Sequence, residues 1–532
     1  MREPGQVVDV VSPWVWCSAI VGLSYWGAAV ARLPCLGVVR GPLGTALVAA
    51  TAAVSLARVG WPWTPEARQA RLLLLAATFV VSAVAGVRYA SRLTASGDEP
   101  HYLLMAQSLW REGDLDLRDN VEREDYREYF PTTLTPHWGA PRADGRPFPA
   151  HSPGLPLLLA PFYALGGRAA CVLLFAALAT ALAAQVYALA LRLTTDDGAA
   201  LFAGALAAGP PVFAYSFHLY TELPSALAVA VALRILTGSP GPTLATGAAL
   251  AASALPWLHV KMIPAAVALG LLAVARLRGP SLAAFVAVAG VSTAAFLAYY
   301  HAIFGIATPL ALYGGGLPPD SAVSPVRAAA GLLLDRSFGL LPYAPAFVLV
   351  PAALAASRGR ARDLWPYLVL AIAILLPLLR WRMWWGGQCP PARFLVPLVP
   401  VLAPLAALRV AASRQGLRRW RWWLLGSGAA LALFMAARPE ALLMLNRGDR
   451  PTRVWDALSG ATPVNRYLPS IVAAQTPDLR LAALWLGIVV LVLVLDVAAR
   501  RHRGVDRVFQ GAGLPLSLGL VVGILTDVWV RR

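Results

Sequence analysis

The amino-acid sequence predicts an all-α, polytopic transmembrane protein. Of its 532 residues 58% are hydrophobic and 14% are charged, and the mean hydropathy is +0.63, which is too apolar for a soluble globular chain. The apolar residues gather in runs of roughly 20, the length that a helix needs to cross the hydrocarbon core with its backbone amides bonded internally. We expect about 13–15 spans, with extracytoplasmic interfacial helices between some of them.

The charge pattern separates a membrane protein from a nucleic-acid-binding protein. The formal net charge is +18, but the basic residues stand in short clusters between the apolar runs, where they orient a chain in a bilayer. We therefore expect the lipid bilayer as a partner and no nucleic acid. Of the 45 basic residues only Lys261 is a lysine, which is typical of GC-rich coding and favours a bacterial plasma (inner) membrane as the location.

The alternation of apolar and polar stretches divides the chain into five predicted regions. These are N-terminal transmembrane helices (1–90), an extracytoplasmic acidic loop with interfacial helices (91–167), a transmembrane catalytic core (168–437), a second extracytoplasmic loop (438–480) and C-terminal transmembrane helices (481–532). The predicted spans are 13–33, 42–60, 71–90, 169–193, 199–217, 221–237, 243–258, 260–277, 281–304, 338–356, 363–379, 394–412, 422–437, 481–499 and 514–530.

The acidic loop is the longest polar stretch, and its residues 91–152 hold 11 of the 27 acidic residues. A loop of this length and composition indicates a functional segment. Within it, Pro100–Arg111 has apolar residues at helical spacing, which predicts an amphipathic helix in the membrane interface. The stretch His151–Gly167 is apolar but short and broken by prolines, which favours a second interfacial or a re-entrant helix.

Arginine-rich short loops predict which side of the membrane is cytoplasmic. If Asp98 is outside and the spans alternate, the inner loops carry Arg192, Arg276, Arg278, Arg358, Arg360, Arg362, Arg409, Arg414, Arg418, Arg419, Arg421, Arg500, Arg501, Arg503 and Arg507. The same alternation places the acidic loop, the HLYTE, HVK and WRMWWGGQCPPARF stretches and six of the seven histidines outside. We therefore predict a multi-pass protein with an active site at its extracytoplasmic face.

Asp98 and Glu99, in SGDEPHYLLMAQSLW, are the first candidates for chemistry. They open a short helix directly after an apolar span, where a membrane surface meets water. A helix cap accounts for one acid before Pro100, because a side-chain oxygen there accepts free amides. A cap does not need two acids. Desolvation at a membrane surface disfavours the charged form of a carboxylate, which makes the carboxylate a better base. A carboxylate within hydrogen-bond reach of an acceptor hydroxyl can take its proton.

Cations and histidines at the same predicted face offer a second set of groups. Lys261 and Arg393 each start a span, either as snorkelling anchors or as the cations of a phosphate site. Glu222 is either a cap for the helix that follows or part of such a site. His101 and His151 show no zinc-type spacing, and metal binding by them stays open.

The stretch GDEPHYLLMAQSLWREGDLDL resembles the first outer loop of the GT-C membrane glycosyltransferases, especially the protein O-mannosyltransferase and lipid A aminoarabinose transferase branch. Further segments in the family's order are GRPFPAHSPGLPLLLAPFYALGG, HLYTELPSALAVAVAL, DRSFGLLPYAPA and GGQCPPARFLVPLVP, so that the resemblance covers residues 91–400. The chain departs from the family in two places. Ala150 and His151 stand where the aminoarabinose branch has a lysine, and two or three spans precede the acidic loop instead of one.

The resemblance implies transfer of a hexosyl or pentosyl group from a polyprenyl-phosphate sugar donor to an extracytoplasmic acceptor, which is a lipid, a cell-wall glycan or a protein. It implies that Asp98 is the general base on the acceptor hydroxyl, that Glu99 orients the site or holds the sugar, and that the configuration inverts. The residues that it implies for substrate binding are His101, Tyr102, His151, Tyr220, Glu222, Lys261 and Arg393, the last two on the leaving phosphate. No cofactor is implied, and a divalent metal stays open.

Two other classes of protein fit parts of this pattern. A transporter or flippase for lipid-linked glycans would also need a cavity with acids and cations. Transporters, however, tend to place ions near the bilayer midplane and to show internal repeats, and neither is visible in this sequence. A scaffolding membrane protein would leave the acidic loop and its carboxylates at a helix start unexplained.

Overall fold

The structure is a computed structural model, and it describes residues 17–48, 66–313, 324–412, 415–472, 478–498 and 521–530. Regular structure in these ranges is helical, and β-pairing there is limited to two isolated bridges, Trp138–Pro149 and Cys389–Asn446. Besides helical residues at 17–24, 42–48 and 521–525, the α-helices in chain order are α1 Gly27–Arg32, α2 Ala67–Arg92, α3 Glu99–Arg111, α4 Arg118–Glu122, α5 Gly154–Thr194, α6 Asp197–Ala208, α7 Val212–Tyr215, α8 Glu222–Leu236, α9 Pro242–Leu258, α10 Ile263–Arg276, α11 Gly279–Phe304, α12 Pro325–Leu334, α13 Leu349–Ala356, α14 Ala361–Leu378, α15 Val399–Ala411, α16 Gln415–Ala436, α17 Arg453–Leu458 and α18 Leu479–Ala498.

The prediction of an all-α, polytopic membrane protein is confirmed. In the described ranges, six helical segments are long and apolar enough to cross a bilayer: Ala67–Arg92, Gly154–Thr194, Gly279–Leu312, Ala361–Leu378, Arg393–Ala411 and Leu479–Ala498. Shorter apolar helices include Asp197–Ala208, Pro325–Leu334, Pro345–Ala356 and Arg421–Ala436. The count of about 13–15 spans stays a prediction. The predicted spans 13–33, 42–60, 481–499 and 514–530 lie partly outside the described residues.

Glycine and proline shorten some of the predicted spans. The predicted span 199–217 is interrupted at Gly209, so α6 ends at Ala208 and the single turn α7 follows the Pro210–Pro211 pair. The predicted span 338–356 begins late, because its first residues form turns and a 3₁₀-helix starts only at Pro345. Helix α12, which precedes these turns, was not predicted.

Burial distinguishes central from peripheral helices. In the segment Arg393–Ala411, which contains α15, 89% of the span is buried inside the protein. The corresponding fraction is 17% for α2 and 11% for Gly279–Leu312, so these helices present apolar side chains outward, as lipid-facing helices do. The long helix α5 packs against α2, α6, α8 and α15 and links the peripheral helices to the centre.

Helix α5 contains a break at Gly166 and Gly167, where the backbone leaves helical geometry. Gly167 has φ 57° and ψ −146°, a conformation that only glycine adopts readily. The part before the break coincides with the predicted helix at His151–Gly167, and the part after it with the predicted span 169–193. The break therefore permits a change of direction between a short helix and a spanning helix.

Helix α3 forms where the amphipathic helix was predicted, and its place in the membrane interface stays a prediction. All residues from Glu99 to Ser108 are buried. The helix packs on α5 and on the loop that includes the 3₁₀-helix Asp125–Glu128. Its polar residues thus face protein, and the start of α3 is held rigidly.

Arg409 and Arg421, which were predicted to lie in inner loops, are fully buried. Both donate to the carboxylate of Asp496 on α18, Arg421 at 2.9 Å. They therefore form a buried ion network that joins α15, α16 and α18, and the assumption that they are loop charges was wrong.

Candidate active site

Asp98 is positioned by the turn that joins α2 to α3. Gly97 in this turn has φ 59°, and a Cβ on it would collide with the Tyr220 hydroxyl and lie 2.6 Å from the Gln388 carbonyl oxygen. A glycine is therefore required directly before the acid. Asp98 occupies the N-cap of α3, yet its side chain makes no capping hydrogen bond, so the carboxylate is available for other partners.

The partner of Asp98 is Arg393, whose Nη2 donates to Oδ2 of Asp98 at 2.5 Å. Arg393 begins the 3₁₀-helix Arg393–Leu398 that leads into α15. Its Nη1 donates to the Gly386 carbonyl oxygen at 2.8 Å, and its guanidinium lies over the ring of Tyr220 at 4.2 Å. These contacts hold the Arg393 guanidinium in one orientation, with Nη2 directed at Asp98.

Glu222 and Lys261 extend this contact into a network of four charges. Oε1 of Glu222 accepts from Nε of Arg393 at 3.1 Å and from Nζ of Lys261 at 2.6 Å. Glu222 starts α8, and Lys261 lies in the 3₁₀-helix Val260–Met262 between α9 and α10. We call Asp98, Arg393, Glu222 and Lys261 the charged network. It contains two acids and two cations, and its formal charges balance.

The charged network is open to solvent at both of its ends. The side chain of Asp98 is 23% exposed and that of Lys261 is 14% exposed, whereas Glu222 is completely buried and Arg393 nearly so. A ligand therefore meets one carboxylate and one ammonium first, with the guanidinium behind them.

The environment changes the proton affinities of the network. Burial by itself would raise the pKa of Asp98, but the Arg393 guanidinium outweighs it and holds that pKa well below the ordinary value. Burial lowers the pKa of Lys261 to about 8, although Glu222 opposes the shift. While it is paired with Arg393, Asp98 is therefore a weak base, and Lys261 loses its charge in mildly alkaline solution.

Glu99 points away from the charged network. Its Oε2 accepts from the Tyr89 hydroxyl at 3.0 Å and from the Ser96 backbone amide at 3.1 Å, and its Oε1 accepts from the Leu219 amide at 3.3 Å. Arg168 approaches it at 3.5 Å. The Glu99 side chain does not reach the exposed end of the charged network. Its contacts hold the turn before α3 in place, and they give no support for a role in holding a sugar.

His101, Tyr102 and His151 meet next to Asp98, and their predicted role in substrate binding stays a prediction. The Tyr102 ring lies 4.7 Å from that of His151, and the His101 ring lies 5.5 Å from it. Burial, with neighbouring imidazoles contributing, lowers the pKa of His101 to about 3, and burial lowers that of His151 to about 4. Both rings are therefore neutral at neutral pH.

His137 was not predicted as a site residue, and its ring stacks on that of His101 at 3.8 Å between ring centroids. His137 and His151 lie on opposite sides of a hairpin in which the Ala150 amide donates to the His137 carbonyl oxygen at 2.8 Å. The Asp144–Gly145 pair between them is a turn signal that could have predicted this pairing. The three histidines form a group that could hold a metal ion.

Tyr220, which was predicted as a substrate-binding residue, contacts both Arg393 and the turn before Asp98. Besides carrying Arg393 on its ring, it donates from its hydroxyl to the Ser96 carbonyl oxygen at 3.1 Å. The ring and the hydroxyl thus connect the turn before Asp98 with the arginine that faces it.

A cavity of about 460 Å³ lies elsewhere, between α2 and α5, with Arg71, Tyr187 and Arg192 in its lining. Arg71 is near the start of α2, whereas Asp98 follows the end of that helix, and this part of α2 is about 30 Å long. The cavity is therefore separate from the charged network.

The chain is similar to several solved structures of other proteins. No family model and no curated protein matches the chain. The crystal structure of ArnT from Cupriavidus metallidurans bound to undecaprenyl phosphate is similar with a TM-score of 0.48 and 17% identity, over 86% of this chain and 76% of that one. The archaeal oligosaccharyltransferase AglB from Archaeoglobus fulgidus, in complex with an inhibitory peptide and a dolichol-phosphate, is similar with a TM-score of 0.42 and 14% identity. This chain covers 57% of the AglB chain, which in turn matches 74% of this one.

Proposed function

We propose that the chain is a membrane glycosyltransferase that moves a sugar from a polyprenyl-phosphate donor to an acceptor outside the cytoplasm. The observation that carries the proposal is the contact between Asp98 and Arg393, a carboxylate and a guanidinium held together at an opening. Transfer from a lipid phosphate needs these two functions side by side. One group removes a proton from the acceptor, and the other stabilises the phosphate that departs.

The balanced charges suggest how donor binding prepares the base. A donor phosphate that binds to Arg393 competes with Asp98 for the guanidinium, and Lys261 offers it a second positive charge. Release from Arg393 removes the interaction that depresses the pKa of Asp98, so the carboxylate becomes a stronger base. Glu222 stays on Arg393 and Lys261 and keeps both cations in place.

The chemical step is then a single displacement at the anomeric carbon. Asp98 accepts the proton of the acceptor hydroxyl, and the acceptor oxygen forms a bond to the anomeric carbon. The bond from that carbon to the phosphate oxygen breaks, and polyprenyl phosphate leaves with its negative charge next to Arg393 and Lys261. One displacement without an enzyme nucleophile inverts the configuration. Tyr102, His101 and His151 line the side of Asp98 where the sugar and the acceptor would meet.

A transporter or flippase remains the alternative function, and one feature favours the enzyme. A flippase would use cations to hold the lipid phosphate, but it has no need for a carboxylate on the exposed side of the arginine. Glu222 lies buried between Arg393 and Lys261 and holds both cations, so Asp98 is the acid of the charged network that an acceptor can reach.

The experiment reconstitutes the purified chain in proteoliposomes with radiolabelled polyprenyl-phosphate sugars and a bacterial lipid extract as the source of acceptor. The proposal predicts label in a product that no longer contains polyprenyl phosphate, together with release of unlabelled carrier. Movement of intact donor across the bilayer without loss of sugar from the carrier would contradict the enzyme and favour a flippase. Exposed Asp119→Asn serves as a matched control for any loss found with Asp98→Asn.

A further inference from the structure

Three histidines form a cluster beside the charged network without belonging to it. One ring nitrogen of each of His101, His137 and His151 lies within 4.8 Å of those of the other two. Nδ1 of His137 and Nε2 of His151 are 3.2 Å apart. Two nitrogens bound to the same tetrahedral zinc at ~2.0–2.1 Å would be roughly 3.3 Å apart, so one edge of the cluster already has the spacing of a metal site.

The backbone, and not the contact between the rings, brings these histidines together. His101 lies in the first turn of α3, which is buried on α5. The other two belong to the hairpin, which is closed by hydrogen bonds from Gly139 to Phe148 at 2.8 Å and from Arg142 to Arg146 at 2.7 Å. Because each element is held by its own hydrogen bonds, the donors are pre-organised for a ligand that all three share.

Packing alone is a poor explanation for this cluster. Imidazoles contribute little hydrophobic area, and His137 remains exposed although its ring lies on that of His101. The other described histidines do not form such a group: His218 contacts the Ala214 carbonyl oxygen, and His259 accepts the amide of Lys261. Three imidazoles with ring nitrogens within 4.8 Å of one another are the kind of donor set that zinc, nickel and copper prefer, whereas calcium and magnesium prefer oxygen.

We propose that His101, His137 and His151 bind one divalent transition-metal ion, with Zn²⁺ as the expected species. Three protein ligands leave a coordination position for a further ligand, as in other zinc sites that are not closed by four side chains. The ion joins the hairpin to the start of α3, next to Asp98. This inference does not depend on the proposed sugar transfer, because metal binding is measured without any donor or acceptor.

The experiment titrates Zn²⁺ into chelator-treated, purified protein by calorimetry and determines the bound metal by mass spectrometry. We expect one ion per chain and at least a tenfold weaker affinity in His137→Gln and in His151→Gln. Since His137 is exposed, His137→Gln should unfold at the same temperature as the metal-free wild type, and this measurement controls for misfolding. His301→Gln, an exposed histidine on α11, is the matched control and should bind as the wild type does.

Two further measurements locate the ion. Amide hydrogen exchange in residues 137–151 should slow when Zn²⁺ is added to the wild type and not when it is added to His137→Gln. Co²⁺ in place of zinc should give the visible absorption of a four-coordinate site, which His137→Gln weakens. Absence of saturable binding, or an affinity that is the same in His137→Gln as in the wild type, would overturn the proposal.

Discussion

Asp98 and Arg393 are 295 residues apart in the chain, and their side chains meet at 2.5 Å. The turn at Gly97 supplies the acid, and the 3₁₀-helix that leads into α15 supplies the guanidinium. The same guanidinium also binds Glu222, so one arginine holds two carboxylates, of which only Asp98 is substantially exposed. A ligand anion that approaches from outside therefore competes with Asp98 first.

Replacement of Arg393 by lysine should weaken binding of the donor even though the charge is kept. The guanidinium uses three nitrogens on three partners, Asp98, Glu222 and the Gly386 carbonyl oxygen, and one ammonium cannot span them. We expect at least tenfold weaker binding of polyprenyl phosphate, measured by calorimetry in nanodiscs. Arg447→Lys, at an exposed ion pair with Asp449, should bind normally. Equal affinities for Arg393→Lys and the wild type would show that only the charge matters.

Binding of polyprenyl phosphate should weaken as the pH rises through about 8. Lys261 carries its charge below this pKa, which burial has lowered from its ordinary value, and loses the charge above it. The groups that act on Lys261 are Glu222 and Asp98, which favour its charge, and Arg393, which opposes it.

We expect affinity to fall by up to about tenfold per pH unit above the pKa. The measurement is the dissociation constant between pH 6.5 and 9.5. Lys261→Met should bind more weakly than the wild type at pH 7 and should show no such fall. A slope that persists in Lys261→Met would assign the titration to another group.

Substitution of Gly97 by alanine should destabilise the turn and displace Asp98. An alanine would need the left-handed backbone of this position, and its Cβ would collide with the Tyr220 hydroxyl. We expect a loss of about 2–4 kcal/mol in the free energy of unfolding, from strain and collision together. Gly113→Ala separates the two causes, because Gly113 also has a positive φ but open space around it. If both variants unfold alike in denaturant, the collision with Tyr220 does not contribute.

Glu99→Gln should act on stability more than on chemistry. Glutamine cannot compensate the charge of Arg168, which is 8% exposed, and a buried charge left without its partner typically costs about 3–5 kcal/mol. We expect a lower unfolding temperature, with transfer per folded molecule reduced much less than in Asp98→Asn. The exposed Glu122→Gln should change stability by about 0.5 kcal/mol or less. If Glu99→Gln instead has normal stability and no activity, Glu99 takes part in the transfer reaction itself.

The residues of the charged network could be picked out from the sequence, but the contacts between them could not. Asp98, Lys261 and Arg393 were visible because each is a charge at the end of an apolar run, where charges are costly and therefore conspicuous. Their pairing could not be predicted, because it depends on how α3, α8 and α15 pack. The pattern also gave no reason to separate Asp98 from Glu99, although neighbouring residues at a helix start point about 100° apart.

The features that were missed have local causes. His137 lies in a loop with neither apolar periodicity nor a neighbouring motif, and only the hairpin turn at Asp144–Gly145 connects it with His151. Helix α3 has the spacing of an amphipathic helix, and the pattern did not predict that the loop around Asp125–Glu128 packs on it and that Glu99–Ser108 are buried. Hydropathy alone does not distinguish lipid from protein as the surroundings of such a helix.

The most direct test of the central claim compares Asp98→Asn with the wild type in two measurements on the same purified protein: single-turnover transfer from a polyprenyl-phosphate sugar, and binding of polyprenyl phosphate. If Asp98 is a base that competes with the donor for Arg393, transfer falls by at least about 100-fold while binding stays equal or becomes tighter. Transfer at the wild-type rate would contradict the role of Asp98 as the base, and a loss of binding as large as the loss of transfer would contradict the competition.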